Sequence, residues 1–333
     1  MTFLSGKTTS YTRWISDLPD LSHALDGLLG EIGFRALVED EARLEAMGTC
    51  SWRSLLDGPV DRGYLDGDPD LYAVGLRRDT KRAPGQLVKA ETARAVADYL
   101  QTCGGKPSKK RIREIGAEVR FELNQQANPK PTHGIAVVDV PRGLVLLDGP
   151  GGIHGWLISA LRMRPLYEEA PPRFLEWLIW SGLHEDHPMG HAHCWPLRQV
   201  VFRNADGEGF SLQGESSEGL EEVLEKAMAN GQRVQSARFT LVAGEDTCSL
   251  TLNRAWLKVG SLEFPEDRGA TGDLEARLLD RMDAIRGVER AIGDLVLEFL
   301  GLMEARGLAG LPAEFVALLP DSEVQVAPEV ANG

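Results

Sequence analysis

The chain has 333 residues, 43% of them hydrophobic, with 50 acidic against 36 basic side chains and a net charge of −14. That is apolar material for one large domain or about two ordinary ones, and it excludes a wholly disordered chain. Spread evenly, such a charge would also exclude a nucleic-acid binder, because neutralising phosphates requires Lys and Arg.

The start, MTFLSGKTTSYTRW, has no long apolar core, so no secretory leader is expected. TTSYTRW reads as a strand, and LSHALDGLLGEIGF as a helix with Asp20 as its N-cap. Residues 58–70 are rich in Gly, Asp and Pro and read as a loop. DLYAVGLRR reads as a strand that ends in charge. After the break at Pro84 and Gly85, QLVKAETARAVADYL is helical. CGGKPS breaks the chain again, with Ser108 as N-cap of the next helix. There, Ile112, Ile115, Val119 and Leu123 share a face at helical spacing, and Lys109, Arg113 and Arg120 form a neighbouring stripe. The spacing predicts a helix that packs on a sheet and presents a basic edge.

GIAVVDV and LVLLD, joined by PRG, read as a hairpin with Gly143 at the turn. GWLISALRM and PPRFLEWLIWSGL read as helices, and FLEWLIWSGL is far too short to span a bilayer. GLEEVLEKAMANGQ is a helix closed by Gly231. ARFTLV and CSLTLN pair around the AGED turn, and AWLKVGSLEF is a third strand. From Asp273 to Arg306 runs a long amphipathic helix, with Gly287 and Gly293 as candidate breaks. The expected class is α+β, with mixed helices and antiparallel sheets rather than a βαβ winding. Residues 1–172 form an N-terminal region with basic helices and a hairpin, 173–320 a second region ending in the long helix, and 321–333 a loose tail.

Most chemical motifs fail on spacing. GGKPS lacks the upstream half of a P-loop, and GFSLQG is not a nucleophile elbow. Asp66, Asp68 and Asp70 imitate a calcium loop, but its Gly is missing and Arg77 stands at the twelfth position. The glycine run at 149–152 reads as a turn unless it opens a helix, where backbone amides could meet phosphate. The four cysteines are scattered, which fits reduced thiols in a cytoplasm. HEDHPMGHAHCW gathers His184, His187, His191, His193 and Cys194, candidate ligands for a metal-dependent nuclease or hydrolase. Its spacing matches no zinc signature, and Pro188 and Gly190 oppose a continuous helix.

The charge, moreover, is not spread evenly. From Arg77 to Arg113 stand eleven basic and three acidic residues, a balance of +8 that leaves −22 on the rest of the chain. One concentrated basic surface on an acidic body steers an anion to one place. An acidic protein partner would be steered there equally, so an interaction module is a further alternative.

Several segments in order resemble the bacterial recombination-associated protein RdgC family. They are TTSYTRW with Tyr11 and Arg13, DLYAVGLRRDTKRAPGQLVKAE, PSKKRIREIGAEVRFELNQQ, GIAVVDVPRGLVLLD, and FLEWLIWSG with Leu175, Glu176, Trp177, Ser181 and Gly182. The resemblance implies a cytoplasmic, nucleoid-associated α+β protein without catalytic residues or cofactor. It implies a ring-forming homodimer whose basic hole holds double-stranded DNA with little sequence preference, restraining RecA by occupying the DNA. The DNA-facing residues carried over are Arg77, Arg78, Lys81, Lys89, Lys109, Lys110, Arg111 and Arg113, with Arg120 added from the helical stripe. Gln125, Gln126, Ala127 and Asn128 depart from the family's Pro-Arg-Ala-Phe, and only Arg198 and Arg203 stand near its second basic finger.

Overall fold

In the computed structural model, residues 7–31, 33–37, 43–53, 63–149, 151–184, 194–214, 218–243, 246–264, 273–304 and 307–320 are described. The chain runs β1 (Thr8–Ser16), α1 (Leu21–Glu31), β2 (Glu45–Cys50), β3 (Tyr64–Leu65), β4 (Asp68–Lys81), α2 (Gly85–Cys103), α3 (Lys109–Gln126), β5 (Pro129–Asp139) and β6 (Leu144–Asp148). It continues through α4 (Gly155–Ala160), β7 (Met163–Pro165), α5 (Phe174–Leu183), β8 (Cys194–Arg203), β9 (Gly209–Gln213), α6 (Leu220–Ala229), β10 (Arg233–Ala243), β11 (Asp246–Asn253), β12 (Val259–Glu263), α7 (Leu274–Met303) and α8 (Ala313–Val316). Every pairing between these strands is antiparallel, in the order β2-β4-β5-β6-β1-β12-β11-β10-β8-β9, with β3 on β4 and β7 on β1. The fold is α+β, as its composition and element order predict.

Side-chain alternation explains why the central strands read as unbroken apolar runs. Tyr72, Val74, Ala136, Val138, Val145 and Leu147 join one core, under α1 and α4. Their neighbours Leu71, Ala73, Ile135, Val137 and Leu146 face the other core, which continues under α5, α6 and α7. A strand covered on both faces has no polar side to display. On β1, Thr9, Tyr11 and Arg13 are the inward residues, so a guanidinium is driven into the core. Glu289 of α7 meets it: Arg13 Nη1 lies 3.2 Å from one carboxylate oxygen, and the Tyr11 hydroxyl donates to the other at 2.8 Å. Arg286 on the same helix reaches Asp68 at 2.6 Å and Asp139 at 3.3 Å. Together with the β1–β12 pairing, these contacts join residues 1–172 to 173–320.

The capping signals are borne out. Asp20 accepts from the His23 amide at 3.0 Å and Ser108 from Arg111 at 3.2 Å. Asp273, which is not among the expected caps, also caps α7, accepting from Ala276 at 2.9 Å. Glu176 of the FLEWLIWSG segment is a core residue: it accepts the Val234 amide at 2.8 Å and pairs with buried Arg173. Five expectations need correction. The helix expected over GWLISALRM ends at Ala160, because Leu161 and Arg162 turn, Arg162 at φ 47°, and Met163 opens β7. Helix α7 runs unbroken through Gly287 and Gly293, and Gly287 marks close packing, since a Cβ there would stand 3.1 Å from the Ala243 carbonyl. Trp256 and Leu257 turn rather than extend, at φ 58° and 43°. β4 begins inside the expected loop, at Asp68. Finally, α3 packs beside α2 instead of lying on the sheet. Among the described residues, no helix is long and apolar enough to cross a membrane.

Candidate nucleic-acid interface

Helices α2 and α3 form an antiparallel hairpin between β4 and β5. Gly104, in the left-handed region at φ 67°, ends α2 and returns its amide to the Leu100 carbonyl at 3.1 Å. At the base, the Ala83 amide donates to Asn124 Oδ1 at 2.8 Å, fixing the end of α3 against the start of α2. Of the whole hairpin only Val88 and Ile115 are buried. The apolar face of α3 is therefore only partly covered: Ile112 remains exposed on it, as do Leu87 and Leu100 on α2, while Phe121 is exposed on the far side of α3.

Between the two helices lies an open groove of about 820 Å³. Small residues make its floor: Gly85, Ala93, Gly116 and Ala117 line it, and a Cβ at Gly116 would just touch the Thr92 methyl at 3.4 Å. Arg82, Lys89, Arg113 and Arg120 stand around it, with no carboxylate among the described lining residues. Helical geometry separates the charges. At 100° per residue, Lys109, Arg113 and Arg120 share the side of Gly116, whereas Glu114, Glu118 and Glu122 fall roughly on the opposite side. Lys109 and Lys110 also open α3, whose first turn holds no acid. Cations at the positive end of the helix dipole oppose it, by about 0.3–1 kcal/mol each. A bound anion reverses that sign.

The sequence-predicted set divides accordingly. Lys89, Lys109, Lys110, Arg113 and Arg120 are exposed and make no ion pair among the described residues. Arg111 is turned to the acidic side, 3.2 Å from Glu114 and 3.1 Å from Glu118, and lies over the Tyr99 ring. Those hydrogen bonds, to Glu114 foremost, raise its pKa further. Arg77 shares a strand face with Asp79, donates to it at 2.8 and 2.9 Å, and stacks on Phe34. Lys81, on that same face, is only 4% exposed. These two lie outside the groove. Arg78, on the other face, is held by Glu45. Arg82, a member of the basic run but not of the predicted set, is exposed at the groove mouth. Its signal was the Arg-Ala-Pro-Gly break itself: a cation placed just before a forced turn into α2.

Of the histidine stretch, His187, His191 and His193 lie outside the described residues. His184 stacks on Trp180 with ring centroids 4.7 Å apart. Its Nδ1 lies 2.9 Å from the Trp180 carbonyl and its Nε2 3.0 Å from Glu221, so both nitrogens already face oxygens. Cys194 is buried, and that burial pushes its thiol pKa far up, away from the thiolate a metal would take. No group of three metal-binding side chains occurs among the described residues. The chain matches no protein-family model and no curated protein.

Proposed function

We propose that the protein binds duplex DNA without sequence preference, as a homodimer resembling the RdgC family, and restrains RecA by occupying the DNA. The observation that carries this reading is the acid-free groove bounded by Arg82, Lys89, Arg113 and Arg120 in a chain of net charge −14. Such a groove is much narrower than a duplex and suits one phosphodiester backbone, with the helices lying along it. Contacts of this kind position a protein on DNA and read no bases. Phe121, 48% exposed and on the side of α3 turned away from Gly116, supports a second copy docking there, clear of the groove. Residence would be cytoplasmic and nucleoid-associated.

Fluorescence anisotropy with unrelated duplexes of equal length tests the reading. Equal affinities that fall steeply between 50 and 200 mM salt are expected. An acidic polypeptide that displaces the duplex at equal charge concentration would instead identify an interaction module for acidic proteins.

A further inference from the structure

The groove does not end at the hairpin. Arg82 and Asn124 line it and also line a second cavity of about 620 Å³ at the sheet edge. Strand geometry builds that cavity's wall. Arg78 and Thr80 project from one face of β4, and the residues opposite them, Thr132 on β5 and Glu45 on β2, project from the same face. Gly152 closes the far side, and a Cβ there would stand 2.8 Å from Arg78 Nη1. Gly152 thus makes room for a guanidinium.

Arg78 Nη2 donates to Glu45 Oε2 at 2.9 Å, Nε lies 2.9 Å from Oε1, and Nη1 donates to the Gly152 carbonyl at 3.3 Å. The two side chains are 32% and 44% exposed. Water-accessible pairs of this kind hold weakly. The planar fork that grips a carboxylate grips a phosphate equally well. A backbone leaving the groove past Arg82 would meet that fork already filled.

We infer that the phosphodiester track continues from the helix groove into this cavity, where Glu45 is a built-in competitor that holds Arg78 until a backbone phosphate displaces it. This rests on the DNA-binding reading above. Glu45 would set how much salt the complex tolerates and offset the charge of Arg78 in the unliganded edge.

The test is a salt series on the full chain with Glu45→Gln, Arg78→Ala and the double variant, using a plain duplex. Glu45→Gln is expected to bind more tightly, with a salt slope steeper by about 0.9, so that its advantage shrinks roughly 3.5-fold between 50 and 200 mM salt. The double variant should lose that advantage. Unchanged binding by Glu45→Gln would overturn the inference while leaving DNA binding intact. So would an advantage that persists in the Arg78→Ala background, because the carboxylate would then act by distant repulsion. Millimolar inorganic phosphate that cancels the Glu45→Gln gain without releasing the duplex would point to a free-phosphate pocket and also overturn it. If the wild type binds no duplex at any salt, the functional reading falls and this inference falls with it.

Discussion

Lys110 shows what the basic hairpin costs at the scale of one residue. It is exposed, without an ion partner among the described residues, and sits in the first turn of α3. Lys110→Glu should raise stability by about 0.3–1 kcal/mol through the helix dipole, seen as a higher urea midpoint, while weakening DNA binding. A loss of stability would show that the dipole argument is wrong. His154 makes a separate prediction. It is buried, its Nε2 lies 3.1 Å from the Asp148 carbonyl, and burial lowers its pKa from 6.5. The unfolded chain therefore binds a proton that the folded chain resists. The stability this group contributes is complete above pH 6.5 and falls as the pH drops through the window below it. Urea midpoints at pH 7 and pH 5 should differ less in His154→Gln than in the wild type.

Among the elements, the α2–α3 hairpin depends on a floor that lets two helices approach and still leaves a channel. Gly116→Ala places a methyl at ordinary contact distance from Thr92 and replaces a helical glycine, so a gain of about 0.5–1 kcal/mol is expected. Gly116→Leu should fill the channel and reduce DNA binding while the far-ultraviolet circular dichroism stays unchanged. Equal affinity in the two variants would detach binding from the groove. The helices of this hairpin were legible in the sequence because breaks and caps bound them: Pro84, Gly104 and Ser108 act locally. The partner of α3's apolar face was not. Ile112, Ile115, Val119 and Leu123 announce a face but not whether a sheet or a helix meets it. β2, β7 and β9 escaped for a related reason: short strands are fixed by their neighbours' ladders more than by their own pattern. β8 is long, but Pro196 inside it argues against a strand when only the sequence is read. The basic run was visible as charge, but the pairings that divide it were not. Arg77 with Asp79, Arg78 with Glu45 and Arg111 with Glu118 each depend on strand register or helix facing.

At the scale of the whole molecule, one antiparallel sheet carries an acidic body from which a bare, basic hairpin stands out. Arg13, Glu289 and Arg286 tie the two ends of the sequence together, so the hairpin is mounted on a single frame. If a second copy covers the hairpin, Phe121→Asp should lower the mass seen by light scattering from dimer to monomer without changing the fold. An unchanged mass would place the dimer contact elsewhere or remove it. The central claim is that phosphate contacts at the groove carry the function. The most direct measurement is the salt dependence of duplex binding by the wild type and by the combined Ala variant of Arg82, Lys89, Arg113 and Arg120. Each phosphate contact contributes about 0.9 to the slope, so the variant should bind every sequence more weakly with a slope shallower by about 3 to 4. A variant that keeps the wild-type affinity and slope would contradict the account.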